Sequence, residues 1–437
     1  MDEAAIGIDF GTTNTVVAMA GADGAARLVN FVHDSEPVVA FRSALSFHAP
    51  PEDARDRVVE AGPWAIDAYV EEPLETRFIQ SFKTYAASPL FVHTNVLGRW
   101  FRFEDLLSAF LVRMRQHGGG DLATMPKRLI VGRPVNFAGQ QANPELALSR
   151  YETAFRRLGF EDIRYAYEPV AAAFFFARKL KGDATVMVAD FGGGTSDFSI
   201  VRFRREGGEV RSQALANAGV GVAGDAFDYR IIDHLVSPEL GKGSSYKSFD
   251  HIIPIPARYY AAFARWDQLA LMRASRDMRE IRGLVRQALE PEKIARLVEI
   301  LDHNHGYRLY QSVSRLKEAL SAGEMATFRF EAGDVRIEKQ VARAEFDGWI
   351  APELAAIAGA ADEALARAKL QPGDIDKVFL TGGSSFVPAV RQLFADRFGE
   401  AKLESGGELV SIATGLALIG AEADISDWAT PAPTQAP

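Results

Sequence analysis

The tightest constraint on what this chain can fold into is a short motif that it carries twice. Asp9-Phe10-Gly11-Thr12-Thr13-Asn14 lies between apolar runs, with Ile6 and Ile8 before it and Val16 and Val17 after it. Asp190-Phe191-Gly192-Gly193-Gly194-Thr195-Ser196-Asp197 lies between Val186-Met187-Val188 and Phe198-Ser199-Ile200-Val201. Each reads as a β-hairpin joined by a turn of glycine and threonine. Two more echoes follow in the same order. Arg128-Leu129-Ile130-Val131-Gly132 and Lys377-Val378-Phe379-Leu380-Thr381-Gly382 read as short buried strands ending on glycine. Glu168-Pro169-Val170-Ala171-Ala172-Ala173 and Ser411-Ile412-Ala413-Thr414-Gly415-Leu416-Ala417 read as helices whose small side chains allow a close crossing.

Hairpin, strand and small-residue helix, given twice, predict an α/β fold built from a duplicated lobe. The first lobe is expected over 1–182, with an insertion at about 38–115, and the second over 183–422, with an insertion at about 226–325. The second insertion looks helical. Glu290-Pro291-Glu292 puts proline at a helix start, and Ile294, Leu297, Val298 and Leu301 follow on one face. Residues 423–437 end in proline, alanine, threonine and glutamine and are expected to be disordered.

A turn of this kind leaves several backbone N–H groups unpaired and pointing one way, which makes an anion nest. Two facing nests would hold a triphosphate from both sides. Each motif opens on a carboxylate, Asp9 or Asp190, and a carboxylate beside phosphate makes sense only with a cation between them. Magnesium suits that place because it keeps its waters and meets carboxylates through them. The rest of the composition is compatible. A net charge of −9, from 49 basic and 58 acidic residues, argues against a general nucleic-acid binder but not against a local anion site. The chain has no cysteine, which excludes thiol catalysis, disulfides and thiolate metal sites. Met1 to Ile8 shows no secretory signal, and no apolar run reaches the roughly 20 residues of a membrane helix, so a cytoplasmic protein is expected.

Five motifs, Ile8 to Thr15, Glu168 to Ala173, Asp190 to Asp197, Phe379-Leu380-Thr381-Gly382-Gly383-Ser384-Ser385 and Ile412 to Ala417, resemble in type and order those of the DnaK-type heat-shock chaperones, within the ribonuclease-H-like, actin-like ATPase superfamily. The likeness runs over about residues 4 to 421 and is greatest to the short YegD-like members, nucleotide domains standing alone. The resemblance implies ATP or ADP as ligand, with magnesium held through water by Asp9, Asp190 and Glu168. It implies that Lys83 reaches the γ-phosphate and its attacking water, that Thr195 sits at that phosphate, and that Asp197 orders metal-bound water. Gly11, Thr12, Thr13 and Asn14 would hold phosphates from one side, and Gly192, Gly193 and Gly194 from the other. Gly224, Asp225, Lys317, Ser321, Gly382, Gly383, Ser384 and Phe386 would line the nucleoside. A slow ATPase whose lobes open and close with nucleotide state is the implied activity, with a protein client or co-chaperone as partner and no nucleic acid or membrane.

The chain departs from that pattern in several places. Glu318 and Phe386 stand where the family stacks adenine between two arginines, and only the phenylalanine can stack a base. The alternative for Phe386 is a ring buried beneath the neighbouring strand. Ala223 replaces a turn glycine, and the arginine expected shortly after Pro134 has no match. After residue 421 no leucine-rich linker or peptide-binding sandwich is visible, which puts peptide chaperoning by the usual route in doubt. A small-molecule kinase, a filament-forming actin relative and a non-hydrolysing nucleotide sensor are the rival readings. His303-Asn304-His305 reads as a solvated pair, and His117-Gly118-Gly119-Gly120 has no Gly-x-Ser-x-Gly nucleophile to serve. Gly241-Lys242-Gly243-Ser244 lacks Walker spacing, and Tyr259, Tyr260, Phe263 and Trp266 read as core.

Overall fold

The computed structural model describes residues 3–49, 58–138, 141–177, 182–206, 209–264, 269, 272, 275–404, 407, 410–426 and 428–431. The chain divides into two compact units. The first comprises Met1–Val222, Ala356–Ser385 and Val390–Pro437, and the second Ala223–Ala355 with Phe386–Ala389. The lobe boundary expected at 182/183 falls inside the first unit. Among the described residues, no helix is long and apolar enough to cross a membrane.

Beside a three-stranded sheet of Ala44–His48, Val58–Ala61 and Arg77–Gln80 and two small hairpins, two large sheets carry the first unit. In one, β1 (Glu3–Phe10), β2 (Asn14–Gly21), β3 (Ala26–Leu28), β4 (Arg128–Arg133) and β5 (Asp162–Tyr167) lie in the order β5-β4-β1-β2-β3, and Phe41–Arg42 pairs with β2. Here β1 is antiparallel to β2 and parallel to β4, and β4 is parallel to β5. In the other, β6 (Ala184–Phe191), β7 (Ser196–Glu206), β8 (Glu209–Val220), β9 (Lys377–Thr381) and β10 (Leu403–Glu404) lie in the order β8-β7-β6-β9-β10. Again β6 is antiparallel to its hairpin partner β7 and parallel to β9, and β9 is parallel to β10. Order and direction agree strand for strand between the two sheets.

Both faces of the central strands are covered, which is why they read as nearly continuous apolar runs. Ile6, Ile8 and Phe10 join a cluster with Leu129, Val131 and Phe110, while Ile130 faces Ala171, Phe176 and Leu416. The small-residue helices Glu168–Ala177 and Ser411–Ala421 cross as their composition predicts. A Cβ on Gly415 would lie 1.9 Å from the Ala171 carbonyl oxygen, so only glycine fits. Phe176 carries the first of these helices onto β9 by stacking on Phe379 at 3.8 Å.

The expectation of disorder from residue 423 fails as far as residue 431. Trp428 packs edge-on against Phe174 at 4.6 Å, and Ala429 is buried. Tyr165 and Thr430 exchange backbone bonds of 2.8 and 3.0 Å across the open edge of β5. One tryptophan and an unpaired strand edge outweigh the polar composition. Residues 427 and 432–437 lie outside the described residues.

The second unit extends the expected insertion at both ends and is not all helical. Helices Gly224–Ile231, Arg276–Leu284, Pro291–Asp302 and Gly306–Ala322 are joined by two hairpins, Ser245–Ser248 with His251–Pro254 and Met325–Ala332 with Val335–Ala342. Pro291 begins its helix as read, but the buried stripe is Ile294, Leu297, Ile300 and Leu301, with Val298 only partly covered. Tyr259, Tyr260 and Phe263 are core, while Trp266 lies outside the described residues.

Candidate functional site

The two glycine turns close in the same way. Gly11 N–H donates to Asn14 O at 3.0 Å, and Gly192 N–H donates to Thr195 O at 3.0 Å. The outer carbonyl of each turn is tied down by a distant serine. Ser43 Oγ donates to Gly11 O at 2.7 Å, and Ser384 Oγ donates to Gly192 O at 3.1 Å. Among the described residues, the N–H groups of Thr12, Thr13, Gly193 and Gly194 donate to no backbone carbonyl. With the carbonyls held back and these amides free, each turn can take an anion.

Strand ends set the carboxylates beside the turns. Asp9 is the penultimate residue of β1, opposite Val16. Asp190 is the penultimate residue of β6, opposite Asp197 on β7 and Thr381 on β9. Glu168 is the first residue of its helix, directly after β5, and Pro169 fixes the helix start behind it. Lys83 sits in the 3₁₀ turn Phe82–Tyr85, which Ser81 opens at φ +52° and Thr84 Oγ1 braces by donating to Ser81 O at 2.8 Å. Lys83 Nζ lies 2.8 Å from Glu168 Oε1, both buried.

The electrostatics are those of too many carboxylates around one ammonium. Burial, then Glu168 and Asp190, hold Asp9 well above its ordinary range against the pull of Lys83. Burial and Glu168 push Asp190 up to about 7, although Thr381 Oγ1 donates to it at 2.9 Å. Burial, Glu168 and Asp190 push Asp197 up to about 8 against hydrogen bonds from Thr195 and the Asn136 N–H. Burial opposes the charge on Lys83, but Glu168, Tyr151 and Asp9 outweigh it and hold the ammonium above its usual range. An all-oxygen donor set with surplus negative charge suits a hard divalent cation.

Lys83, Glu168, Asp9, Asp190, Thr195 and Asp197 therefore share one neighbourhood in the first unit. Gly382 belongs there too. It has φ +80°, and a Cβ on it would lie 2.2 Å from Phe191 O and 3.0 Å from Asp190 Oδ1. Gly383 and Ser384 follow in the 3₁₀ turn Gly383–Phe386, where the Ser384 hydroxyl holds the second glycine turn. Sequence reasoning gave no role to Ser43, Thr381, Asn136 or Gly219. A Cβ on Gly219 would lie 2.5 Å from Asp197 Oδ1, which only the paired register of β7 and β8 reveals.

The other proposed nucleoside residues lie in the second unit. Gly224 and Asp225 open the Gly224–Ile231 helix. Lys317 and Ser321 lie one turn apart on Gly306–Ala322, with Lys317 paired to Asp228 at 2.7 Å and Ser321 Oγ donating to Lys317 O at 2.9 Å. Phe386 is 53% exposed, so the buried-ring alternative fails. The His303–His305 pair gains a third member, since Glu299 lies 3.1 Å from one ring and 3.6 Å from the other. That glutamate already partners both histidines. His117 stacks on Trp64 at 3.6 Å, and Lys242 is paired with Asp233.

Comparison with known proteins gives the family of the chain. The family model described as Hsp70 protein matches residues 76–245 and 287–423. The chain is similar to the "Chaperone protein DnaK" of Thermus thermophilus, 26% identical over 91% of this chain and 57% of that one. It is similar to that of Deinococcus radiodurans, 27% identical over 95% and 59%, and of Thermosipho africanus, 24% over 91% and 55%. The chain thus spans under three-fifths of the length of these curated relatives. With the model matched over most of its length, the chain belongs to the Hsp70 family of DnaK-type, actin-like ATPases.

Proposed function

We propose that this chain binds ATP and ADP with magnesium and hydrolyses ATP slowly. The observation that carries the reading is the pair of turns with free amides, each beside a carboxylate that its neighbours keep from shedding its proton easily. The matching order and direction of the two sheets support a duplicated, ribonuclease-H-like lobe. In this reading the amides of Thr12, Thr13, Gly193 and Gly194 hold phosphate oxygens. Lys83 meets the γ-phosphate and its attacking water, and Thr195 and Asp197 orient water beside it. Asp9, Asp190 and Glu168 hold magnesium through water, and the metal supplies charge neutralisation at the phosphates. The nucleoside roles of Gly224, Asp225, Lys317, Ser321, Gly382, Gly383 and Phe386 rest on the resemblance, and the exposure of Phe386 leaves its ring available for stacking. Lobe motion with nucleotide state, and a protein client or co-chaperone, complete the proposal.

A titration with ATP, ADP and GTP, with and without magnesium, followed by phosphate release, tests it. Magnesium-dependent ATP binding with slow phosphate release is the expected result. No nucleotide binding would sink the reading, and binding without release would favour a nucleotide sensor.

A further inference from the structure

The reversal between the helices Pro291–Asp302 and Gly306–Ala322 gathers three metal-ligating side chains that take no part in the candidate site. Glu299 lies in the last turn of the first helix, and His303, four residues on, shares its face. Asn304 then takes φ +55°, the left-handed conformation on which many helices end. Backbone bonds lock the reversal, from His303 N–H to Glu299 O at 3.2 Å and from His305 N–H to Ile300 O at 3.0 Å. Both histidines are thus set beside the glutamate by the backbone itself.

Among the described residues, Glu299, His303 and His305 each offer one donor atom, and these atoms all lie within 4.8 Å of one another. His303 Nδ1 is 3.1 Å from Glu299 Oε2, and His305 Nε2 is 3.6 Å from Glu299 Oε1. The second distance is too long for a hydrogen bond. Both are close to the spacing of donors around one ion. Zinc takes nitrogen and oxygen at about 2.0–2.2 Å, which puts tetrahedral neighbours roughly 3.3–3.6 Å apart. His303 Nδ1 also faces Glu299 O at 3.3 Å, so it meets two acceptors and needs a proton or a cation between. The hairpin turn after Met325–Ala332 closes over the group. Gly333 has φ +53°, and a Cβ on it would lie 2.2 Å from Glu299 Oε1 and 3.4 Å from His305 Nε2. The His305 side chain is 16% exposed and that of His303 54%, which leaves one ring within reach of an arriving ion.

We propose that Glu299, His303 and His305 bind a divalent transition-metal ion of the zinc class, which pins the helix reversal beneath the hairpin turn. Two imidazoles with one carboxylate suit zinc, whereas magnesium and calcium prefer oxygen alone. Three protein ligands leave a fourth position for water. The site lies wholly within the second unit and does not depend on the nucleotide reading. Its ion is a structural tie, because binding the folded corner more tightly than the unfolded chain raises stability by mass action.

The test is a titration of the chelator-stripped full chain with zinc ion alone, in millimolar magnesium that fills all-oxygen sites. One zinc per chain, bound at about micromolar or below, is the expected result, with a melting temperature several degrees higher at saturation. His303→Ala removes an exposed ring and should weaken that binding by at least about a hundredfold, more than the loss of a group behind a ligand costs. His305→Ala should do the same, and both variants should lose the thermal shift. His303→Ala decides the matter alone if His305→Ala fails to fold. In wild type the imidazole resonances of both rings should move with zinc. Saturation only at millimolar zinc, or equal affinity in wild type and His303→Ala, would overturn the proposal. So would rings that respond to pH but not to zinc, which would leave a proton shared between histidine and glutamate.

Discussion

The first and second glycine turns share a plan and differ in how tightly each is built. Both close with a 3.0 Å bond, and both have a carbonyl held by a serine. The second turn is reinforced further. Thr381 bonds Asp190, and Gly382 packs backbone against backbone on Phe191. Among the described residues, no side chain donates to Asp9, which keeps partial exposure. The first turn is tight at its own glycine instead, where a Cβ on Gly11 would lie 2.3 Å from Asn14 O, against 3.4 Å for Gly192 and Thr195 O. One plan has thus placed its rigidity in two different parts, the loop itself in the first turn and the strand behind it in the second.

The largest effects should come from the feature that both turns share. Asp9→Asn and Asp190→Asn are each expected to lower magnesium-dependent phosphate release by about a hundredfold or more while the fold persists. Circular dichroism and a phosphate assay check this, and a wild-type rate in both variants would dissolve the equivalence.

Next come the glycines, which should separate the turns. Gly11→Ala should destabilise the chain by roughly 1–3 kcal/mol through overpacking, whereas Gly192→Ala should change it little. Thermal melts decide it, and equal losses would mean that the first turn yields more than its geometry suggests. The serine ties are smaller and should match. Ser43→Ala and Ser384→Ala should each cost about 1 kcal/mol, the worth of one such hydrogen bond.

A pH slope in the ligand-free chain tests the second turn alone. Asp190 and Asp197 titrate near about 7 and about 8 instead of their ordinary 3.8, so the folded state holds their protons more tightly than the unfolded state does. The stability present at low pH is therefore lost as pH rises from about 4 through about 8. Melting temperatures at pH 5 and pH 8.5 without metal should fall in that direction, and Asp190→Asn with Asp197→Asn should flatten the slope. An unchanged slope in that double variant would assign the titration elsewhere.

The turns and their aspartates were readable because glycine, threonine and carboxylate are adjacent in the chain, so the local chemistry is local in sequence. Lys83 was not readable in that way. Nothing in Gln80-Ser81-Phe82-Lys83 marks a site, and the Ser81 turn that seats the lysine opens on a positive φ in a residue other than glycine. Ser43 and Thr381 act across long separations, through a hydroxyl that serves equally well on any surface. The strand Met325–Ala332 has a clean alternation that buries Phe328, Phe330 and Ala332. The expected insertion ends at about 325, so this alternation starts at a predicted boundary. Trp428 lies in a segment whose composition predicts disorder, yet its one large ring packs on Phe174.

The contact between Lys83 and Glu168 has a further consequence. If Lys83 meets phosphate as proposed, Glu168 would act as an inhibitor that the protein carries within itself, because it already holds that ammonium at 2.8 Å. A tethered competitor of this kind works at an effective concentration of at least the millimolar order. Phosphate arriving alone must displace it. A divalent ion that draws the carboxylate aside would lift the inhibition without touching the nucleotide. The chain would then favour magnesium–ATP over bare ATP twice, once through the metal's own contacts and once through the lysine it sets free.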